Sequence, residues 1–297
     1  MNHFKNARKI KGDASSRKFY RKKNKNFSSI LIHAKKEKIK NLLIYDAINK
    51  IFIKNKILAP KLYQAKFNKN YIEVQDFGND TLFKILKNKK TKVFFYYKNI
   101  INLLNRIQLI KSRKINNFKK RIYVIPKYKN KILIKEAELF CDWYAKKHLT
   151  KIKKKIFSKK FKQIIKKLSS NLRLKNDVFV HRDFHVSNLM LVNKQIGVID
   201  SQDALIGNKA YDLASLIDDV RFETSILLKN KIYNLFLKKR NKVDKIKLIN
   251  DFKILSVLRN LKIIGIFTRL AVRDNKRRYL KLIPRAWKLI ELRTSHE

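Results

Sequence analysis

The sequence has few of the residues that cross-link a chain or interrupt its regular structure. Its 297 residues include one cysteine, five glycines and three prolines. The lone Cys141 excludes an internal disulfide and argues against a cysteine-rich metal site. The N-terminal residues lack the apolar core of a signal peptide, and no run of about 20 uncharged apolar residues is available to cross a bilayer. We therefore expect a cytoplasmic protein without membrane contact.

Acidic residues are also scarce, with 22 Asp and Glu against 74 Lys and Arg and a formal net charge of +52. Clustered basic residues would indicate a nucleic-acid binder, because they neutralise phosphates. Here the basic residues are spread along the chain, and the abundant Lys, Asn, Ile, Phe and Tyr have AT-rich codons. We attribute most of the charge to genome composition and expect no nucleic-acid partner. A positive field would still attract anionic nucleotides and substrates.

One segment combines the residue types of a phosphoryl-transfer site at the matching spacing. His181–Asn188 has the pattern H-R-D-x-x-x-x-N, and Asp200 follows at the end of a second apolar stretch. Phosphoryl transfer needs a carboxylate beside the acceptor hydroxyl, and Asp183 is the candidate for this role. It also needs oxygen ligands for the Mg²⁺ that bridges the nucleotide phosphates, which Asn188 and Asp200 can supply.

A short β-hairpin is expected to bring these two ligands together. Leu189–Val192 and Val198–Ile199 are apolar strands, with a turn near Asn193–Lys194. The alternative interpretation is a structural hairpin with incidental acids, but acids are too scarce in this chain to favour it. Other acids, such as Asp177 and Asp212, are expected to be caps or structural ion pairs.

Two loops are candidates for nucleotide binding. Gly12 begins a turn of small residues before the strand Lys18–Arg21, and such a turn can direct backbone N–H groups at phosphates. The loop Gln75–Gly78 joins a strand to a helix and offers backbone groups to an adenine ring. The predicted nucleotide-binding residues are Gly12, Asp13, Ala14, Ser15, Ser16, Arg17, Gln75 and Phe77.

The second of these loops also marks the expected boundary between two lobes. Residues 1–77 are predicted to form a small β-rich, nucleotide-binding lobe, and residues 78–297 a larger helical lobe for catalysis and substrate. Two C-terminal helices are expected to join near Asp274–Asn275, with Pro284 at the start of the second. Further helices are predicted over Glu37–Ile53, Lys92–Ile110 and Lys135–Leu149.

Six pieces of the sequence, spread over most of the chain, together form a family signature. They are Gly12–Arg21, Glu138–Tyr144, His181–Met190, Ile199–Ala204, Tyr211–Leu216, and Leu261–Leu270 with Arg273–Asp274 and Arg277–Leu280. These pieces resemble the aminoglycoside phosphotransferase family, which has a protein-kinase-like fold. Gln202–Ala204 and Gly265–Phe267 are similar to its bacterial branch of N-acetylmuramate/N-acetylglucosamine anomeric kinases.

The resemblance implies a role for each part of the candidate site. Asp183 would be the catalytic residue, and Asn188 and Asp200 would hold Mg²⁺. The Gly12–Arg17 loop would lie over the ATP phosphates. Ser201 departs from the pattern, because the branch has an aromatic residue at this position.

A second departure concerns the cation that contacts the phosphates. The strand Ile30–His33 lacks the phosphate-binding lysine that the resemblance to kinases leads us to expect. Lys18, Arg21 and Lys35 are each candidates to replace it, and the sequence does not decide among them.

Four residues are candidates to contact the acceptor. Glu138 is a rare acid that could bind sugar hydroxyls, and Trp143 could stack on a sugar ring, although a helical aromatic residue more often belongs to the core. His185 could touch the substrate or only brace the loop, and Asp203 lies in the branch-like piece. His181 is expected to support the loop by hydrogen bonding rather than to bind a metal.

These observations favour a two-lobed, protein-kinase-like α+β fold and an ATP- and Mg²⁺-dependent kinase. The expected substrate is the anomeric hydroxyl of N-acetylmuramate or N-acetylglucosamine. One alternative is a kinase of another small alcohol or of an aminoglycoside-like molecule, although a cationic aminoglycoside usually needs an acid-rich pocket. The other is a basic RNA-binding protein on a degenerate kinase scaffold, which would need basic residues clustered on one face.

Overall fold

A computed structural model describes residues 7–10, 17–23, 27–88, 92–238 and 241–295. The chain divides into two compact units, the first comprising Met1–Ile125 with His185–Ala204 and the second Pro126–Phe184 with Leu205–Glu297. The lobe boundary after residue 77, which the change from strands to helices predicts, is a different division and stays a prediction. Within the described ranges, no helix is both long and apolar enough to cross a membrane.

A five-stranded antiparallel sheet forms the main β-structure of the first unit. Its strand order is β1-β2-β3-β5-β4, and Ser29 of β3 pairs with Gln75 of β5. Helix α1 covers the sheet because its apolar positions repeat with helical spacing, so that Leu42 and Tyr45 pack against Ile32 and Ile72. The first five strands and α1 are β1 Ala7–Ile10, β2 Lys18–Lys23, β3 Ser28–His33, α1 Lys40–Lys54, β4 Leu62–Lys66 and β5 Tyr71–Gln75.

The remaining elements of the first unit include the predicted hairpin. Strands β9 and β10 pair antiparallel, and the two residues that connect them, Asn193 and Lys194, have φ values of 47° and 64°. Two successive positive φ angles are typical of the tight turn that matches the twist of a hairpin, so the predicted hairpin and its turn are confirmed. These elements are α2 Leu82–Asn88, α3 Val93–Gln108, β6 Lys114–Asn116, β7 Ile122–Val124, β9 Leu189–Val192 and β10 Gln195–Val198.

The second unit is mostly helical and is built around one long helix, α9. The C-terminal prediction is confirmed, since α9 ends at Val272 and α10 begins at Ile283 with Pro284 in its first turn. A two-stranded antiparallel sheet, β8 with β11, leads into the catalytic-loop sequence. The helices and strands are α4 Asn130–Ala137, α5 Lys146–His148, α6 Lys151–Ser170, β8 Asn176–Val180, β11 Leu205–Asn208, α7 Ala210–Ile217, α8 Ile226–Leu237, α9 Lys242–Val272 and α10 Ile283–Thr294.

The helix predicted over Lys135–Leu149 is present, but it begins earlier, at Asn130, and is not a regular α-helix throughout. Between α4 and α5 the residues Phe140–Ala145 form a π-helical turn. Gly265 of α9 lies so close to this segment that an added Cβ would stand 2.4 Å from the Leu139 carbonyl oxygen. The glycine is needed for this close backbone approach, and it gives a packing reason for the branch-like Gly265–Phe267 piece.

A buried ion network joins four helices of the second unit. Asp218, just after α7, accepts two hydrogen bonds from Arg293 of α10 at 2.8 and 3.0 Å. It also contacts the ammonium of Lys229 on α8 at 3.1 Å and the hydroxyl of Ser256 on α9 at 2.6 Å. Burial alone would raise the pKa of Asp218, but these partners outweigh it and lower the pKa. The carboxylate is therefore fully compensated by its own unit.

Candidate active site

The hairpin brings the two predicted metal ligands to one end of the first unit. Leu189 pairs with Val198, and the Ile199 N–H donates to the Asn188 carbonyl oxygen at 3.1 Å. Asn188 therefore directly precedes one strand and Asp200 closely follows the other. The hairpin is itself fixed, because the Val198 N–H donates to the Leu58 carbonyl at 2.8 Å.

Asp200 has an unusual backbone and one strong partner. Its φ is +65°, a conformation that a residue other than glycine adopts only when its surroundings enforce it. One carboxylate oxygen accepts a hydrogen bond from Arg17, whose guanidinium also donates to Gln202 Oε1 at 2.8 Å. The Asp200 side chain is 34% exposed, whereas that of Arg17 is 5% exposed. The carboxylate thus faces a buried cation on one side and solvent on the other.

Ser201, which stands where the resemblance leads us to expect an aromatic residue, is held by hydrogen bonds. Its hydroxyl is buried and donates to Asn49 Oδ1 on α1 at 2.6 Å. The Asn49 amide in turn donates to the Pro60 carbonyl at 3.1 Å. A chain of hydrogen bonds therefore holds the segment after β10 against α1.

The donor chemistry at this end of the hairpin fits Mg²⁺. Asn188 and Asp200 offer an amide oxygen and a part-exposed carboxylate, which are hard oxygen ligands. Mg²⁺ usually takes only one or two carboxylates and completes its shell with phosphates and waters. In the part of the chain that the structure describes, no group of three or more His, Cys, Asp or Glu side chains could hold a metal ion. A phosphate-assisted site does not need such a group.

Two acceptor candidates also lie in the first unit. His185 is buried, and its Nε2 is 3.4 Å from the Asn188 amide nitrogen, while the Asn188 N–H donates to the His185 carbonyl at 2.9 Å. These contacts are those of a residue that braces the loop. Asp203 is exposed and accepts a hydrogen bond from Gln202 at 2.7 Å. A substrate role for either residue stays a prediction.

The predicted nucleotide-binding residues are only partly described. Gly12, Asp13, Ala14, Ser15 and Ser16 lie outside the described residues. The Gln75 N–H is bonded to the Lys61 carbonyl at 2.8 Å. The Phe77 ring is buried under the hairpin, where an added Cβ on Gly197 would come within 2.7 Å of it. Phe77 thus packs against the hairpin that carries Asn188 and Asp200 at its ends. A contact of Phe77 with adenine stays a prediction.

The catalytic-loop sequence of the second unit is held by one buried acid. Both oxygens of Asp212 accept backbone hydrogen bonds, from the His181 N–H at 2.7 Å and from the Arg182 N–H at 2.9 Å. Arg182 has a φ of +74°, so Asp212 stabilises a strained turn directly before Asp183. Burial raises the pKa of Asp212 to about 6, against the opposing effect of His181.

The side chain of Arg182 enters a second buried network centred on Glu136 of α4. Glu136 accepts hydrogen bonds from Arg182, from the Tyr128 hydroxyl and from Lys262 Nζ, the last at 2.9 Å. Burial would raise the pKa of Glu136, but Lys262 and Arg182 outweigh it and lower the pKa. Burial would lower the pKa of Lys262, but Tyr211, Glu136 and Asp183 contribute to raising it.

The remaining acceptor candidates lie on or next to the π-helical turn of the second unit. Glu138 forms a surface ion pair with Lys162 of α6, with a distance of 2.7 Å between Oε1 and Nζ. Trp143 is half-buried, and the adjacent Tyr144 packs on Phe140 with ring centroids 5.1 Å apart. Whether Glu138 or Trp143 contacts a sugar stays a prediction.

Sequence reasoning missed Glu136, Lys262 and the pairing of Arg17 with Asp200. Glu136 could have been found, because it lies three residues after Leu133 and so shares the buried face of α4. An acid on an apolar face requires a buried cation. The identity of that cation, 126 residues away in the sequence, has no local signal.

Comparison with known proteins assigns a class to this arrangement. Residues 96–234 match the model of the phosphotransferase enzyme family, a range that includes the catalytic loop, Asn188 and Asp200. The chain therefore carries a phosphotransferase-family domain, and the predictions of this family and of an enzyme are confirmed. A spectinomycin phosphotransferase, solved with ADP and spectinomycin, has a TM-score of 0.64 and 16% identity over 97% of this chain and 92% of that chain. This likeness confirms the predicted kinase-like α+β fold class.

Relatives that are similar in sequence indicate a narrower branch of the family than the structural likeness does. The N-acetylmuramate/N-acetylglucosamine kinase of Neisseria meningitidis serogroup B is 29% identical over 282 residues, which are 92% of this chain and 81% of the relative. The enzyme of the same name from Pseudomonas aeruginosa is 35% identical over 175 residues, which are 57% of this chain and 52% of the relative. The predicted resemblance to this branch is confirmed.

Proposed function

We propose that the chain transfers the γ-phosphoryl group of ATP to the anomeric hydroxyl of N-acetylmuramate or N-acetylglucosamine. The observation that carries the proposal is the shared name of the relatives, together with a catalytic-loop sequence and an Asp200 hairpin of the required composition. When bound, Mg²⁺ would be held by Asn188 and Asp200 and would neutralise charge on the phosphates.

Asp183 is the residue proposed to act on the acceptor. It orients the sugar hydroxyl and receives its proton as the new bond to phosphorus forms and the bond to ADP breaks. An anomeric hydroxyl is more acidic than an ordinary alcohol, so little driving force for deprotonation is needed. Asp212 contributes by holding the backbone before Asp183 in its strained turn. Orientation and charge neutralisation then account for most of the rate enhancement.

The positive charge of the chain supports an anionic or neutral acceptor. With 74 basic and 22 acidic residues, the protein repels a polycationic aminoglycoside and attracts the carboxylate of N-acetylmuramate. The same proposal includes that the enzyme acts in the cytoplasm, in the recycling of cell-wall amino sugars.

The test compares free sugars with blocked ones. ATP consumption is measured with N-acetylmuramate, N-acetylglucosamine, their 1-O-methyl glycosides and an aminoglycoside, and phosphorus NMR identifies the product. We expect both free sugars to yield a 1-phosphate and the glycosides to be inert. Equal phosphorylation of the glycosides would move the reaction to another hydroxyl. Failure of every amino sugar, together with tight, salt-sensitive RNA binding, would favour a binding protein instead.

A further inference from the structure

The guanidinium of Arg17 is the closest cation partner that the structure records for the Asp200 carboxylate. It donates to Asp200 Oδ1 and to Gln202 Oε1, and it lies over the rings of Phe19 and Tyr45 at 5.5 and 5.9 Å from their centroids. Its side chain is 5% exposed. The orientation of the Arg17 guanidinium is well defined, because two hydrogen-bond acceptors and two aromatic rings surround this planar cation.

The three basic residues considered from the sequence are differently placed. Lys18 and Lys35 are exposed to solvent. Arg21 is bound to Asp76 with a shortest distance of 2.5 Å, and it donates to Asn79 Oδ1 at 2.6 Å and to the Gly78 carbonyl at 2.7 Å. Arg21 therefore fixes the loop after β5, whereas Arg17 is bonded to the Asp200 carboxylate.

We propose that Arg17 replaces the missing strand lysine by changing partners, from Asp200 in the nucleotide-free enzyme to the nucleotide phosphates in the loaded enzyme. The inference rests on the proposed kinase function. A carboxylate that takes a divalent cation no longer needs a guanidinium, and the released guanidinium has the fork of donors that suits phosphate. Arg17 is in this sense a positioning residue that couples metal binding to nucleotide binding.

This exchange has a thermodynamic signature. Without nucleotide, Arg17 competes with a metal ion for Asp200, so metal alone binds weakly. Without metal, Asp200 competes with the phosphates for Arg17, so nucleotide alone binds weakly. Each ligand removes the competitor of the other, and the two therefore bind with positive cooperativity. Removal of Arg17 should then change the two separate affinities in opposite directions.

The experiment measures each ligand alone and then the two together. Calorimetric titrations use Mn²⁺ without nucleotide, ADP in the presence of EDTA, and ADP in the presence of saturating Mn²⁺. They are made with the wild-type chain, Arg17→Gln, Arg17→Lys and the control Lys98→Gln, which removes an exposed charge on α3. For Arg17→Gln we expect ADP affinity to fall about tenfold or more and Mn²⁺ affinity to rise several-fold, since one charge-assisted hydrogen bond is lost in one case and one competitor in the other. Arg17→Lys should restore part of both affinities, and both affinities of Lys98→Gln should stay within about twofold of wild type.

A second variant protects the test against a folding defect in Arg17→Gln. Asp200→Ala leaves Arg17 in place but removes its anionic partner, so metal-free ADP binding should strengthen while the gain in ADP affinity from added Mn²⁺ disappears. Parallel losses of both affinities in Arg17→Gln, or weaker metal-free ADP binding in Asp200→Ala, would overturn the exchange.

The outcomes separate this inference from the proposed function. A wild-type chain that binds no ADP with or without metal would overturn both the kinase proposal and the exchange. A wild-type chain that binds ADP cooperatively with Mn²⁺ but phosphorylates no amino sugar would overturn only the acceptor. None of the titrations contains a sugar, so the role of Arg17 is decided independently of the acceptor.

Discussion

Asp200 in the first unit and Asp218 in the second are both aspartates bound by arginine, but their surroundings differ. The Asp200 side chain is 34% exposed, with Arg17 on one side. Asp218 is fully buried and has two bonds to Arg293, an ammonium contact with Lys229 and a hydroxyl donor from Ser256. A buried carboxylate whose oxygens are all hydrogen-bonded stabilises the fold, whereas a part-exposed carboxylate can exchange its cation. The difference matches the proposed roles, in which Asp200 would exchange Arg17 for a metal ion, whereas Asp218 holds helices of the second unit together.

The largest expected effect concerns the acid proposed to face the acceptor. Asp183→Asn should lower turnover by about 10²–10⁴-fold, the usual contribution of a general base or orienting group. ADP affinity and the melting temperature should stay close to wild type, because the substitution keeps the size of the side chain. Steady-state kinetics, calorimetry and thermal unfolding check the three quantities. Turnover within a few-fold of wild type would remove Asp183 from the mechanism.

The reverse pattern is expected for Asp218→Asn. Loss of the charge leaves Lys229 and Arg293 buried without their anion, and breaking a buried ion pair in this way costs about 3–5 kcal/mol. Urea unfolding should show this loss, while the ADP affinity of the folded protein stays unchanged. A stable variant with impaired ADP binding would contradict the assignment of Asp218 to the scaffold.

The raised pKa of Asp212 should appear as a pH dependence of the free energy of unfolding. An aspartate in an unfolded chain titrates near 3.9, and burial raises the folded pKa of Asp212 to about 6. Between these values the folded chain keeps a proton that the unfolded chain loses, so this group makes the protein less stable as the pH rises from about 4 to 6. Relative to Asp212→Asn, which does not ionise, the wild type should gain up to about 3 kcal/mol of stability between pH 7 and pH 4. Unfolding curves at three pH values measure this difference, and a pH-independent difference would contradict the raised pKa.

The smallest effect is expected at the surface pair of Glu138 and Lys162. Both Glu138→Gln and Lys162→Gln break the pair, and neither should change the melting temperature measurably, because exposed ion pairs contribute little. If Glu138 binds the acceptor, only Glu138→Gln should raise the KM for the sugar, by a few-fold. Equal KM values for the two variants would assign Glu138 to the surface alone.

Much of the site could be predicted because its signals are local in the sequence. The catalytic loop, the hairpin and its turn at Asn193–Lys194 lie within about 20 consecutive residues, and turn chemistry and apolar alternation identify them. Pro284 likewise marks the start of α10. These features do not depend on how distant parts of the chain pack.

The contacts that surround the site could not be predicted, because they join residues far apart in the sequence. Arg17 and Asp200 are 183 residues apart, and Glu136 and Lys262 are 126 apart. Any of the 74 basic residues could have supplied either cation as far as composition is concerned. Only tertiary structure selects one, which is why Arg17 was expected at the phosphates but not at Asp200.

The π-helical turn also changes which side chains face the core in the helix that contains it. In a straight α-helix, Tyr144 would lie at the centre of the face that Leu133 and Ala137 define, and Ala145 would lie on its flank. In the structure Ala145 is buried and Tyr144 is only half-buried, as expected when one extra residue is inserted into the helix. A relative with an unbroken helix here would align with this chain only through a one-residue gap between Phe140 and Ala145. The position of such a gap therefore predicts which relatives lack the turn, and their structures would test it.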